Sequence, residues 1–246
     1  MKKIIHILFV FILVGCASDS DSGNQSELAS DTGQGGSLAR FTILGDYLYT
    51  VDSNELDVFS IVDPTNPVQV NTVFIGFDIE TLFAYKEYLY VGSRNGMFIY
   101  DANNREEPSQ LASVQHFTAC DPVVANETHA FVTLDAGIGC GGTISALEVY
   151  DVTDVTEPIL ISRKNLIGPK GLGLYGNYLF VCDDEIKIFD VSNPEESVLV
   201  NSINKNAFDV IIHNDLLILI GDTGLYQYQL DNNDIQNIIE LSTINI

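Results

Sequence analysis

Five stretches of the chain repeat one pattern: "LDVFSIVDPTNP" from Leu56, "MFIYDANNREEP" from Met97, "LEVYDVTDVTEP" from Leu147, "IKIFDVSNPEES" from Ile186 and "LYQYQLDNNDIQ" from Leu225. Their aromatics, Phe59, Tyr100, Tyr150, Phe189 and Tyr228, lie 41, 50, 39 and 39 residues apart. A period of this size marks one small unit repeated, each copy burying its apolar face only against its neighbours. A second apolar run precedes each anchor: "DYLYTV", "EYLYVG", "HAFVTL", "NYLFVC" and "DLLILI". Alternating segments such as "VQVNTVFI" and "SVLVNSI" separate the pairs, and Asp-Pro, Asn-Pro and Gly-Asp turns punctuate them. No segment has helical period. Four short strands per unit of about 40 residues define an all-β fold, a β-propeller of five four-stranded blades.

The wording of the units is more specific than their period. "GDYLYTVDSNELDVFSIVDPTNP" and "GNYLFVCDDEIKIFDVSNP" resemble the LVIVD repeat of bacterial surface proteins. "CDPVVANETHAFVTL", "GLGLYGNYLFVCD" and "ETLFAYKEYLYVGSRNGMFIYD" are similar to particular blades of lipoproteins built from that repeat. The resemblance covers nearly all of the chain after Gly36 and implies an architecture, not a reaction. Blade five departs from the pattern, with Gln227 and Gln229 in its anchor, and Lys170 stands where a histidine is common. The blades are expected at about 37–76, 77–116, 117–168, 169–205 and 206–246. The repeats begin and end in phase, so no strand is left over to clasp the first blade to the last. Closure by face packing is expected; an open array finished by another chain is the alternative.

The start of the chain, "MKKIIHILFVFILVGC", has two lysines, an apolar run from Ile4 to Val14 and a small-residue ending. A run of eleven residues is too short for a span, which needs about 20, so residues 1–15 read as a secretory signal. Leu13-Val14-Gly15-Cys16 resembles the bacterial lipobox, which implies acylation of Cys16 by a lipid such as palmitate; a plain signal is the other reading. Residues 16–36, "CASDSDSGNQSELASDTGQGG", bury too little to order and read as a flexible acidic tether. Asp19 and Asp21 resemble the export signal of Bacteroidetes surface lipoproteins, implying an outer-membrane protein facing outward rather than into the periplasm. The propeller would then occupy residues 37–246, enough for one sizeable core.

The full chain has 11 basic and 34 acidic residues, a formal net charge of −23. Loss of Lys2 and Lys3 with the signal makes it more negative still. Such a surface repels nucleic acid and anionic bilayers, so the only membrane contact expected is through the lipid, and the molecule reads as a monomer.

Candidate sites follow from the blade geometry. In blade three the loop "DAGIGCGGTIS" holds the extra residues, and it returns to the face where the innermost strand begins. Cys120 and Cys140 are therefore expected close together on that upper face, and an exported compartment permits the disulfide. Closing a loop of about 20 residues contributes roughly 3 kcal/mol. The staple either pre-organises a binding lip or only tames an insertion. Cys182, in "NYLFVCD", reads as a buried free thiol. Equivalent positions at the starts of the innermost strands bring Arg40, Glu80, Asp121 and Lys170 to the mouth of the channel. This ring would orient a zwitterionic or carboxylate ligand, or else neutralise itself and plug the pore.

Asp52, Glu55, Asp183, Asp184, Glu185 and Asp222 crowd the same face, either as a solvated rim or as oxygen donors for Ca²⁺, although no fixed-spacing calcium loop is present. His116, His129 and His213 do not converge, no metal-ligand spacing is present, and no nucleophile motif accompanies them. Two functions remain. One is a non-enzymatic scaffold that binds a protein or glycan on its upper face, and the other is a propeller hydrolase or lyase with a cation at the channel mouth. Radiolabelled palmitate should enter the wild-type protein and be absent from Cys16→Ala; equal labelling of the two would remove the lipid anchor.

Overall fold

The computed structural model describes residues 32–33, 35–116, 122–137 and 142–246. The signal segment, Cys16, Cys120, Asp121 and Cys140 lie outside the described residues. Five antiparallel sheets stand in a ring, one per repeat, as a five-bladed β-propeller. Blade 1 comprises β1 (Thr32–Gly33), β2 (Phe41–Leu44), β3 (Tyr47–Val51), β4 (Glu55–Ser60) and β5 (Val68–Phe74). Blade 2 holds β6 (Ile79–Tyr85), β7 (Tyr88–Ser93), β8 (Gly96–Asp101) and β9 (Ser109–Gln115). Blade 3 holds β10 (Val123–Ala125), β11 (His129–Leu134), β12 (Ala146–Asp151) and β13 (Ile159–Asn165). In blade 4 these are β14 (Leu172–Tyr175), β15 (Tyr178–Cys182), β16 (Ile186–Asp190) and β17 (Val198–Ile203). Blade 5 ends the ring with β18 (Asp209–His213), β19 (Leu216–Gly221), β20 (Gly224–Gln229) and β21 (Ile239–Asn245). Every anchor aromatic falls on the third of the four repeated strands.

In blades 2, 3 and 4 the second strand reads as a continuous apolar run because both of its faces are covered, and in blade 5 the face toward blade 4 is covered. Phe131, Phe180, Leu89, Leu179 and Leu217 are all fully buried there. The first two strands of each blade meet in a tight hairpin on the lower face. Four of these hairpins place a residue at positive φ: Gly45 at 60°, Lys86 at 51°, Gly176 at 57° and Asn214 at 52°. Glycine and asparagine adopt that region at little cost, whereas Lys86 adopts it under strain.

A β-bulge recurs at one place in all five blades, between the third and fourth strands, at Val58/Phe59, Ile99/Tyr100, Val149/Tyr150, Ile188/Phe189 and Gln227/Tyr228. The extra residue is always apolar and always on the outer strand: Val70, Leu111, Ile161, Val200 and Leu241. Those outer strands are open edges, and a bulge twists an edge away from pairing with another molecule. Asx turns follow the third strand, where Asp101, Asp151 and Asp190 accept the amides of Asn103, Thr153 and Ser192 at 2.7–2.9 Å. These three acids are thereby built into turns.

Four apolar cores join blade 1 to 2, 2 to 3, 3 to 4 and 4 to 5. No such core joins blade 5 to blade 1 among the described residues. Leu217 is fully buried between blades 4 and 5, whereas Leu48 holds the same repeat position in blade 1 and is half-buried. Leu217→Ala should therefore lower the unfolding free energy by about 2–5 kcal/mol, the range for a buried leucine. Leu48→Ala should cost less than about half of that, as read from urea midpoints at unchanged slope.

Candidate functional site

The axis of the ring is occupied by the chain itself. β2 is the innermost strand of blade 1, and β1 adds to its inner edge, pairing Thr32 with Leu44 and Gly33 with Ile43. β1 therefore runs along the axis, inside the stretch whose composition reads as tether. Residues 35–39 then cross over the upper end. Ser37 is 2% exposed. Its hydroxyl accepts the Leu172 amide of blade 4 at 2.7 Å and donates to the Asp209 carboxylate of blade 5 at 3.3 Å. Ala39 offers its carbonyl to the Leu82 amide of blade 2 at 2.8 Å. One short loop thus holds three blades.

Two glycines let this happen. A Cβ on Gly36 would lie 2.0 Å from Asp209 Oδ2, and one on Gly171 would lie 2.4 Å from Oδ1. A side chain at Gly36 would displace the carboxylate, and one at Gly171 would also meet the Phe208 and Asp209 backbone at 2.8 Å. Asp209 also accepts its neighbour Val210's amide at 2.9 Å. Burial raises its pKa to about 6, against the pull of these hydrogen bonds. The Gly171 amide reaches Phe208 O at 2.9 Å, which draws the starts of the innermost strands of blades 4 and 5 together.

The four residues expected at the channel mouth divide among different partners. Arg40 Nη2 donates to the Ile79 carbonyl of blade 2 at 3.4 Å. Glu80 forms an ion pair with Arg94 of its own blade at 3.0 Å. Lys170 uses its amide on Cys182 O at 2.7 Å, and its carbonyl accepts the Thr133 hydroxyl of blade 3 at 2.5 Å. Asp121 lies outside the described residues. Cys182 is a free, fully buried thiol, and burial pushes its pKa well above the ordinary thiol range.

The rim carboxylates are spent in a similar way. Asp52 accepts the amides of Asn54 and Glu55 at 2.7 and 2.9 Å, which holds its pKa below the usual carboxylate range. Asp183 accepts Ile167 N and Gly168 N at 3.1 and 2.6 Å and pairs with Lys187, which also bonds Asp184. Among the described residues no group of three or more His, Cys, Asp or Glu is disposed to hold a metal ion. In blade 3 the link between β11 and β12, from Asp135 to Ser145, is the longest of its kind, and it includes the position of Cys140.

Ser37 and Asp209 have no counterpart in the sequence-level candidate list. One signal was available: in "NAFDVIIH" a carboxylate opens an otherwise apolar innermost strand.

Comparison with known proteins agrees with this architecture. Residues 35–74 and 170–205 match the LVIVD repeat, and these are blades 1 and 4. Among curated proteins none matches the chain. Of the similar solved structures, a Lactobacillus plantarum protein has a TM-score of 0.65 at 13% identity, over 83% of this chain and 67% of that one. The periplasmic gluconolactonase of Pseudomonas aeruginosa gives 0.62 at 13%, over 82% and 68%. BamB from Moraxella catarrhalis gives 0.51 at 9%, over 82% and 56%. The chain spans just over half to two-thirds of those proteins' length. At such identities the likeness is one of fold, and function has to be argued from the site.

Asp209 gives the axial loop a pH signature. An unfolded aspartate titrates near 3.8 and the folded one near 6, so folding takes up a proton between those values. Its contribution is greatest below pH 3.8 and declines by about 3 kcal/mol as pH rises through 6. Asp209→Asn removes that slope. The stability difference between variant and wild type should shift by about 2 kcal/mol in the variant's favour between pH 4 and pH 7. A pH-independent difference would show that the carboxyl is not buried on the axis.

Proposed function

We propose that the protein is a non-enzymatic binding scaffold of the cell envelope. In this reading Cys16 carries the lipid, the segment after it is the tether, and the Bacteroidetes-like acidic signal sends the molecule to the outer surface of the outer membrane. A disulfide between Cys120 and Cys140 steadies the long loop of blade 3 as part of a ligand-binding upper face, and the molecule acts as a monomer. One observation carries the preference for a scaffold over a hydrolase or lyase. The axial position where a propeller enzyme would take its substrate is filled by the chain's own residues 35–39, with Ser37 buried among blades 4 and 5. The acidic Glu80 at the mouth is already paired with Arg94, and Asp52 and Asp183 hold turns rather than an open cation site. The upper face stays available for recognition, and it carries the long loop of blade 3 on a rigid frame, the kind of place where function concentrates.

The full chain, supplied with calcium and with ester, lactone and uronate-polysaccharide substrates, should give no turnover above buffer. Turnover that Glu80→Gln abolishes would establish the enzymatic alternative at the channel mouth.

A further inference from the structure

The fifth interface of the ring is built differently from the other four. On the blade 1 face turned toward blade 5, Phe41 is 56% exposed. At the same repeat position Leu82 and Val210 are 2% exposed, and Val123 and Leu172 are fully buried. Ile43, Leu48 and Phe59 form a cross-strand row on that face, and all three are half-buried. Opposite them in blade 5 stands the row Ile211, Ile218 and Gln227, also half-buried. Gln227 occupies the place of Ile99, Val149 and Ile188, which lie in the cores of the other blades. Between the two faces is a cleft of about 370 Å³, walled by Leu38, Phe41, Ile43 and Ile211, with the largely buried Asp209 also on its lining.

We propose that this cleft between blades 5 and 1 receives an extended segment of a partner polypeptide that alternates aliphatic and basic side chains. The reasoning rests on the scaffold reading and narrows its ligand to a polypeptide. Apolar walls left partly exposed, with Phe41 at a position buried in all four other blades, gain most from aliphatic side chains. The basic character follows from charge complementarity. The turns with Asp52 and Asp222 belong to the upper ends of the two flanking blades, and the chain carries 34 acids against 11 bases. The same charge sets a second copy of this chain against the site.

The probe is a fluorescein-labelled peptide alternating lysine and leucine, titrated by anisotropy against the full chain, beside a glutamate–leucine counterpart. The lysine peptide should bind, and the glutamate peptide should bind at least tenfold more weakly. Ile211→Lys places a bulky cation in the cleft and should weaken the lysine peptide at least tenfold, while Ile211→Val should leave it unchanged. Photo-leucine in the peptide should crosslink to residues 38–43 or 209–211, a readout that holds even if Ile211→Lys disturbs folding. Wild-type affinity in a folded Ile211→Lys protein, equal binding of both peptides, or crosslinks confined to other blades would overturn the cleft. None of these outcomes bears on turnover, so the scaffold reading stands or falls separately.

Discussion

The hydroxyl of Ser37 is the point on which the ring converges. A propeller of five in-phase repeats has five interfaces, and among the described residues no strand of the first blade joins the sheet of the last. Apolar packing supplies four of them. At the fifth, closure passes through a polar loop on the axis, where Ser37 links Leu172 and Asp209 while Ala39 takes the Leu82 amide. Buried polar groups are tolerable only when partnered, and each member of this cluster is partnered by a different blade. The cluster therefore exists only in the assembled ring, which makes it a register device as much as a source of stability.

This arrangement accounts for the irregularities of the fifth repeat. Gln227 would be out of place in a dry core between blades, yet here it accepts the Ser242 hydroxyl at 2.9 Å on the half-buried face that looks into the cleft. Thr50 stands on the facing sheet where Val91, Val132, Val181 and Leu219 are fully buried in the other blades. Repeats at the ends of an array drift from the consensus because their outer faces are not asked to pack.

The architecture was legible in the sequence because it is local. The anchors at Leu56, Met97, Leu147, Ile186 and Leu225 all lie on the third repeated strand, and the Asp-led turns after them are Asx turns. The centre was not legible. Gly35, Gly36 and Ser37 have the composition of a linker, and nothing within a few residues reveals that Ser37 meets a carboxylate 172 residues away. The mouth residues were placed by register alone, which fixes where a strand begins but not which partner its side chain prefers. Glu80 is paired with Arg94, fourteen residues on in the same blade. The matches at residues 35–74 and 170–205 add the repeat's name to two blades and leave the ligand to be found from the loops.

β1 has a mechanical consequence. It lies antiparallel to β2 at the axis, so Thr32 stands at the lower end of the ladder, opposite Leu44 and beside the Gly45 turn. A pull on that end loads the β1–β2 ladder in shear, along the strand, rather than peeling a blade from the rim. The force then enters the axial loop, where Leu82, Leu172 and Asp209 take it up in three separate sheets. Tension applied at the N-terminal side is thus shared around the ring before any single blade bears it.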